Sequence, residues 1–223
     1  MTLRVLLTSH DPLGQGLGGR EAARLARGLT RWGHQVRVLA ADSGEQKDDS
    51  ETQPPFAVRR VICRPECSAA DVPIPLPCFE PGPDKMHFCR LTEAQWQCYE
   101  DRFRKAFRAE LESFDPQIIH CQYAWIHADL ALETGTPYVI SVWGPELEAA
   151  AQEGRFQQLV SQTTIGAGRL FVPDPGLVYR LPPEAWRAPG RVATPPLHLE
   201  DDASFCARMS ELYLSVLEAW FGA

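Results

Sequence analysis

Arg4-Val5-Leu6-Leu7-Thr8-Ser9-His10 … Gly18-Gly19-Arg20-Glu21 … Leu25-Ala26-Arg27-Gly28-Leu29 … Gly33-His34-Gln35-Val36 is the stretch that decides the fold. Arg4 to Thr8 is a short buried strand, and Ser9 to Gly19 is a glycine-rich loop. A helix follows from about Arg20 to Trp32, because Leu25, Ala26, Leu29 and Trp32 recur on one face at helical spacing. Gly33 stops it as a left-handed cap, a conformation only glycine adopts cheaply. Gln35 to Ala41 is the next strand. Strand, loop, helix and strand form a βαβ crossover, which implies a parallel sheet with helices packed on it.

The same alternation continues outward. Asp42 to Pro55 is polar, and Phe56 to Cys63 holds one strand. Arg64 to Pro83 is proline-rich and reads as an irregular excursion. Thr92-Glu93-Ala94-Gln95 is a capping box. It opens a helix with Trp96, Tyr99, Phe103, Phe107 and Leu111 on one face, ending before Asp115-Pro116. Ile118 to His120 is a buried strand, Tyr123 to Glu133 a helix, and Tyr138 to Val142 another strand. A helix around Phe156 to Gln162 leads to strand Leu170 to Val172, then a short helix from Pro175 to Leu181. Arg191 to Thr194 is a last strand. Ala203 to Trp220 is an amphipathic helix with Phe205, Met209, Leu212, Val216 and Trp220 on its stripe. Strands alternating with helices predict an α/β, doubly wound, mostly parallel sheet with helices on both faces. Ligands of such sheets sit at the carboxyl ends of the strands. The places to inspect are Ser9–Gly19, His120–His127, Trp143–Glu146 and Pro173–Pro175.

Composition narrows the function. With 223 residues, 44% of them hydrophobic, the chain can build one good core and is short for two full domains. A net charge of −7 repels phosphate backbones, so nucleic acid is not an expected partner. No apolar run approaches the roughly 18 residues of a membrane span. Met1 to Leu7 runs straight into the glycine-rich loop and does not read as a signal peptide. Seven scattered cysteines without a Cys-x-x-Cys motif read as reduced thiols of a cytoplasmic protein.

The opening stretch resembles the start of family 4 GT-B glycosyltransferases: a strand, a loop ending Gly-Gly-x-Glu, a helix with Leu-Ala-x-x-Leu, then Gly-His-x-Val. Asp115-Pro116-Gln117-Ile118-Ile119-His120 is similar to that family's Pro-Asp-Ile-Ile-His landmark. Gly135-Thr136-Pro137-Tyr138-Val139-Ile140-Ser141-Val142-Trp143-Gly144 is similar to its Gly-Val-Pro-Val-Val-x-Thr-x-His-Gly. Gly168 to Pro173 resembles the next strand, and Arg191 to Leu199 the linker that enters the family's second domain. The resemblance implies a Rossmann-like, acceptor-side domain over residues 1–199, followed by a helix at 200–223 that packs back on it. Residues 200–223 hold neither the basic pair that binds the donor diphosphate in that family nor its Glu-x7-Glu stretch. Phe205 to Phe221 instead looks like the helix that closes GT-B chains, with the middle lost; a coincidental amphipathic helix is the other reading.

Each candidate site residue has a functional and a structural reading. Gly16, Gly18 and Gly19 let backbone N–H groups approach a phosphate or sugar at a helix N-terminus, or simply make a tight turn. Gln122 stands where many family members place the second histidine of His-x-His; it bonds hydroxyls but cannot titrate. His120 reads as a core histidine or a substrate contact, and His127 as a substitute for the missing histidine or a helix-surface residue. Trp143 replaces another family histidine, and either stacks on a sugar ring or plugs space. Glu146 either accepts acceptor hydroxyls or caps the following helix. Gln122, His127 and Glu146 are the candidates for chemistry. Arg20, Arg24, Arg27 and Arg31 form a basic stripe that suits anionic lipid or a phosphorylated acceptor, or is a solvated helix face. Cys63, Cys67, Cys78, His87 and Cys89 lack standard zinc spacing, so no metal or other cofactor is expected.

Two functions follow from the resemblance. One is hexosyl transfer, with retention, from a nucleotide sugar to a hydroxyl acceptor, the donor site coming from a partner chain. The other is a catalytically degenerate domain that binds a sugar or a protein, a homodimer being one way to cover the cleft.

Overall fold

The computed structural model describes residues 1–44, 55–66, 72–79, 85–194 and 202–222. In chain order the elements are β1 (Arg4–Ser9), α1 (Gly16–Arg31), β2 (Gln35–Asp42), β3 (Ala57–Ile62), β4 (Leu76–Cys78), β5 (Lys85–His87), α2 (Glu93–Phe114), β6 (Ile118–Gln122) and α3 (Ile126–Thr134). Then come β7 (Tyr138–Ser141), α4 (Pro145–Ala150), α5 (Gly154–Gly166), β8 (Arg169–Phe171), α6 (Pro183–Trp186), β9 (Val192–Ala193) and α7 (Asp202–Phe221), with 3-10 turns at Phe88–Arg90 and Pro175–Arg180. Seven strands form one sheet in the order β3-β2-β1-β6-β7-β8-β9, and each neighbouring pair runs parallel. From β1 the chain winds outward to β3, then returns to β6 on the other side of β1. The order therefore reverses between β1 and β6, which opens a crevice at their carboxyl ends.

The side-chain period of two explains why both faces are covered. Val5, Leu7, Val38, Ile118 and Val139 pack with Leu25 and Leu29 of α1 and with Phe205, Met209, Tyr213 and Val216 of α7. Their neighbours Leu6, Leu39, Ile119, Cys121 and Ile140 face the other way, onto α2, α3 and α5 through Phe103, Phe107, Leu130, Phe156 and Val160. The sheet is thus the α/β, doubly wound, Rossmann-like arrangement expected. Thr92 opens α2 with the reciprocal capping bonds expected of it: the Gln95 N–H donates to Thr92 Oγ1 at 3.3 Å, and the Thr92 N–H to Gln95 Oε1 at 2.9 Å. Asp115, in the left-handed region at φ +48°, closes the helix before Pro116.

Helix α7 lies over α1 and the β1–β6 strands. Its polar ties include Ser210 Oγ to His34 Nε2 at 2.9 Å and Tyr213 OH to His120 Nδ1 at 2.6 Å. The Arg24 guanidinium lies 4.2 Å from the Phe205 ring centre. Arg24 is thereby turned onto α7, while Arg20, Arg27 and Arg31 are exposed. Among the described residues, no helix is long and apolar enough to cross a membrane.

Several local readings need correction. Helix α1 begins at Gly16, so Gly16, Gly18 and Gly19 belong to its first turns and not to a loop. Trp32 is 51% exposed and sits at the C-cap, off the buried face. Trp220 likewise leaves the core stripe of α7, which Cys206, Tyr213 and Leu217 complete while Leu212 packs at its edge, half-buried. Within the proline-rich excursion β4 pairs in parallel with β5, which lies just beyond it, although Pro77 argues against a strand. Tyr123 is not helical: its φ of +82° breaks the chain between β6 and α3. Helix α4 is an addition, started by Pro145 after Gly144 at φ +110°. Residues 45–54 and Cys67 lie outside the described residues. Cys63, Cys78, Cys89, Cys98, Cys121 and Cys206 are thiols. Among the described residues, no group of three or more histidine, cysteine, aspartate or glutamate side chains is placed to hold a metal ion.

Candidate functional site at the sheet's switch point

The crevice between β1 and β6 is built from the loop after β1, the start of α1 and the loop after β6. Asp11, 8% exposed, is its centre. The Gly18 N–H donates to Asp11 Oδ2 at 3.0 Å and to the Tyr123 hydroxyl at 3.1 Å. That hydroxyl in turn donates to Asp11 Oδ2 at 2.7 Å. Burial pushes the Asp11 carboxyl up, against the hydrogen bonds from Tyr123, Gly18 and Gly19. Burial also pushes the Tyr123 phenol well up, helped by the Asp11 charge, so it remains a donor at neutral pH.

The three glycines are accounted for by this packing. A Cβ on Gly16, which sits at φ +59°, would collide with the Asp11 carboxylate. One on Gly18 would stand 2.6 Å from Tyr123 Cε2, and one on Gly19 would collide with the Pro12 carbonyl oxygen. Their close approaches are therefore to the chain's own Asp11, Pro12 and Tyr123. Tyr123 holds a left-handed backbone that is strained for a bulky residue, while its N–H donates to the Ser141 carbonyl at 2.9 Å.

Beside Gly18, at the end of β6, lies Gln122, fully buried. Its Oε1 accepts from Trp143 Nε1 at 3.3 Å, and its Nε2 has no hydrogen-bond partner. The half-buried Trp143 is held from behind by Glu146. The two carboxylate oxygens of Glu146 accept the N–H groups of Trp143 and Gly144, each at 2.9 Å. Burial raises the Glu146 carboxyl to about 7, against the pull of those N–H groups. Gln122, Trp143 and Glu146 thus form one hydrogen-bonded unit next to Gly18.

The two histidines lie elsewhere. His120 points to the α7 face, with Nδ1 on Tyr213 and Nε2 2.8 Å from Ser141 Oγ. His127 is not on a helix surface: it is fully buried and stacked on His10, with ring centres 3.6 Å apart. Neither His127 ring nitrogen has a partner, whereas His10 Nδ1 is 2.8 Å from the Tyr99 hydroxyl. Phe88, Tyr99, Phe103 and Tyr123 surround His10. Burial pushes both His120 and His127 down to about 3, so both imidazoles are neutral at physiological pH. Asp11, Tyr123 and His10 carry no sequence pattern that singles them out; only the β1–β6 adjacency brings them together.

The model of a family described as Glycosyl transferase 4-like domain matches residues 18–196. No curated protein sequence matches the chain. Among solved structures, a short piece of sucrose-phosphate synthase from Thermosynechococcus elongatus is similar with a TM-score of 0.59 at 15% identity. That likeness covers 96% of this chain and 98% of the piece. A longer chain of the same synthase is similar with a TM-score of 0.60 at 14% identity, over 87% of this chain and 47% of that one. UDP-GlcNAc 2-epimerase from Neisseria meningitidis, bound to UDP-GlcNAc, is similar with a TM-score of 0.52 at 11% identity, over 98% of this chain and 52% of that one. The chain therefore spans about half the length of the two longer structures, and at these identities the likeness is one of fold.

Proposed function

Since the chain belongs to the glycosyl transferase 4-like domain family, we propose that it is the acceptor-side half of a hexosyl-transfer enzyme. In this reading a hexose passes from a nucleotide sugar to an acceptor hydroxyl. The donor-binding half comes from outside these 223 residues, whether as further chain, a partner or a second copy. Residues 1–199 are the acceptor-side domain, and α7 is the closing helix laid back on it.

The observation that carries the reading is the chemistry of the switch-point unit. Trp143 presents a half-buried indole, and the fully buried Gln122 bonded to it keeps an amide donor unused. These groups suit the apolar face and hydroxyls of a sugar, and neither carries the positive charge that a departing diphosphate needs. The Gly18 N–H is already taken by Asp11 and Tyr123. Stabilisation of the leaving group therefore belongs to the other half.

A second reading, a degenerate sugar- or protein-binding domain, is favoured by the neutral, buried state of His120 and His127. Glu146 is the candidate with a proton in balance near neutrality. Calorimetric titration of the chain with UDP-glucose, UDP-N-acetylglucosamine, GDP-mannose and ADP-glucose is expected to give no binding heat. Saturable binding of any of them would overturn the half-enzyme reading. Tryptophan fluorescence is expected to change saturably with D-glucose in the wild type and not in Trp143→Phe. Flat traces in both would remove sugar binding and leave the protein-binding form of the second reading.

A further inference from the structure

We propose that Asp11 is a built-in anion that fills the N-terminus of α1 and makes the switch-point crevice refuse phosphate, so that the ligand admitted there is neutral. The substrate class this names, an unphosphorylated sugar or polyol, rests on the acceptor-side reading above. The exclusion of phosphate does not.

The N-terminus of a 16-residue helix carries partial positive charge and N–H groups without intrahelical partners. A side-chain cap is the usual internal solution, but the N-cap here is Gln15, whose side chain makes no capping bond. The partner is Asp11, five residues before the helix begins, folded back from the end of β1. Its Oδ2 takes the Gly18 N–H and the Tyr123 hydroxyl together, at 3.0 and 2.7 Å. This is the donor set that a phosphate oxygen at a helix N-terminus would take.

Two further features are fitted to that carboxylate, and a third lies beside them. Gly16 must lack a Cβ because the carboxylate occupies its place. Tyr123 keeps a strained backbone at φ +82° while its hydroxyl reaches Asp11. Gln122, whose Cβ lies 3.0 Å from the position a Gly18 Cβ would take, leaves its buried Nε2 donor without a partner. That unused donor, beside a helix N-terminus already neutralised, points to a ligand that accepts a hydrogen bond and brings no negative charge. A phosphate about 4 Å from Asp11 at a surface-like dielectric would lose roughly a thousandfold in affinity to charge repulsion. A sugar hydroxyl meets no such penalty.

The test compares wild type, Asp11→Asn and the double variant Asp11→Asn/Tyr123→Phe in sodium phosphate and in sodium chloride of equal ionic strength. Thermal unfolding and calorimetry read phosphate binding, and a cooperative melt reports folding of each variant. Asp11→Ser serves as a second variant if Asp11→Asn gives no cooperative melt. The wild type is expected to show no phosphate-specific shift. Asp11→Asn is expected to gain saturable phosphate binding at least a hundredfold tighter than wild type, and Tyr123→Phe to weaken that gain severalfold by removing one donor. Equal phosphate binding by wild type and Asp11→Asn overturns the proposal, and so does absence of binding in both Asp11 variants. A phosphate gain without glucose binding keeps the anion role of Asp11 and removes the substrate class. Glucose binding without a phosphate gain does the reverse.

Discussion

At the scale of single residues, the least expected feature is the pairing of two neutral imidazoles inside an aromatic core. His127 is fully buried, and neither its donor nor its acceptor nitrogen is matched. An unmatched buried polar group costs about 1–3 kcal/mol, whereas the stacking with His10 returns about 0.5–1.5 kcal/mol. His127→Leu is therefore expected to raise the free energy of urea unfolding by about 1–2 kcal/mol. A loss of stability in that variant would mean that the imidazole is worth more to the fold than a hydrocarbon. None of this was legible in the sequence, where His127 stood as a surface residue or a replacement for a missing histidine. Period and spacing locate a histidine on a helix but do not say which neighbours the excursion between β3 and α2 will lay over it. The same holds for Asp11. Its significance depends on Tyr123, 112 positions away in sequence, which the sheet order alone brings within hydrogen-bond reach. Gln122, Trp143 and Glu146 were legible as neighbours of the crevice because each lies at or just beyond the carboxyl end of a strand. Their mutual hydrogen bonds were not legible.

At the scale of elements, the parts that could be read were those whose local signals agree with their packing. The capping box of α2, the Gly33 stop after α1 and the buried runs of β1, β6 and β7 each combine a backbone signal with a core demand. Where the two conflict, packing decides. Glycine is a poor helix former, yet Gly18 and Gly19 are helical because α1 must lie against Tyr123 and Pro12 more closely than any Cβ permits. Proline is a poor strand former, yet Pro77 lies in β4, which among the described residues pairs with β5 alone. Helix α7 shows how an apolar stripe acquires a definite seat. The stripe alone allows rotation; the Tyr213–His120 and Ser210–His34 contacts fix it. Tyr213→Phe keeps the ring but leaves His120 Nδ1 unmatched in a buried site. A loss of about 1–3 kcal/mol is expected by urea or thermal unfolding. Ser210→Ala, beside the more peripheral His34, is expected to lose about 1 kcal/mol or less. Equal small losses in both would show that the apolar stripe of α7 is sufficient by itself.

At the scale of the whole molecule, the buried titratable groups couple stability to pH in opposite directions. An unfolded chain protonates His120 and His127 below pH 6.5, whereas the native state holds both neutral until about pH 3. Between those limits the unfolded state carries the extra protons, so stability falls as pH falls, by up to about 1.4 kcal/mol per pH unit for each histidine. Glu146 acts in the reverse sense. It keeps its proton to about pH 7 in the native state but only to 4.5 when unfolded, so its contribution falls as pH rises through that window. From pH 6.5 down to 4.5, two histidines oppose one glutamate, and the net slope is that of one histidine, about 1.4 kcal/mol per unit. Below pH 4.5 Glu146 is protonated in both states, the opposition ends, and the slope from the two histidines rises to about 2.7 kcal/mol per unit. His10 is displaced in the same direction as the other two histidines, and Asp11 in the direction of Glu146. The unfolding free energy measured in urea from pH 8 to pH 4 is thus expected to decline below pH 6.5 and to steepen near pH 4.5. In Glu146→Gln the opposing contribution is gone, so the steep decline should begin at pH 6.5 itself. A wild-type profile that stays flat to pH 4.5 would be incompatible with histidines buried as neutral bases. An unchanged breakpoint in Glu146→Gln would instead place the compensating proton on Asp11.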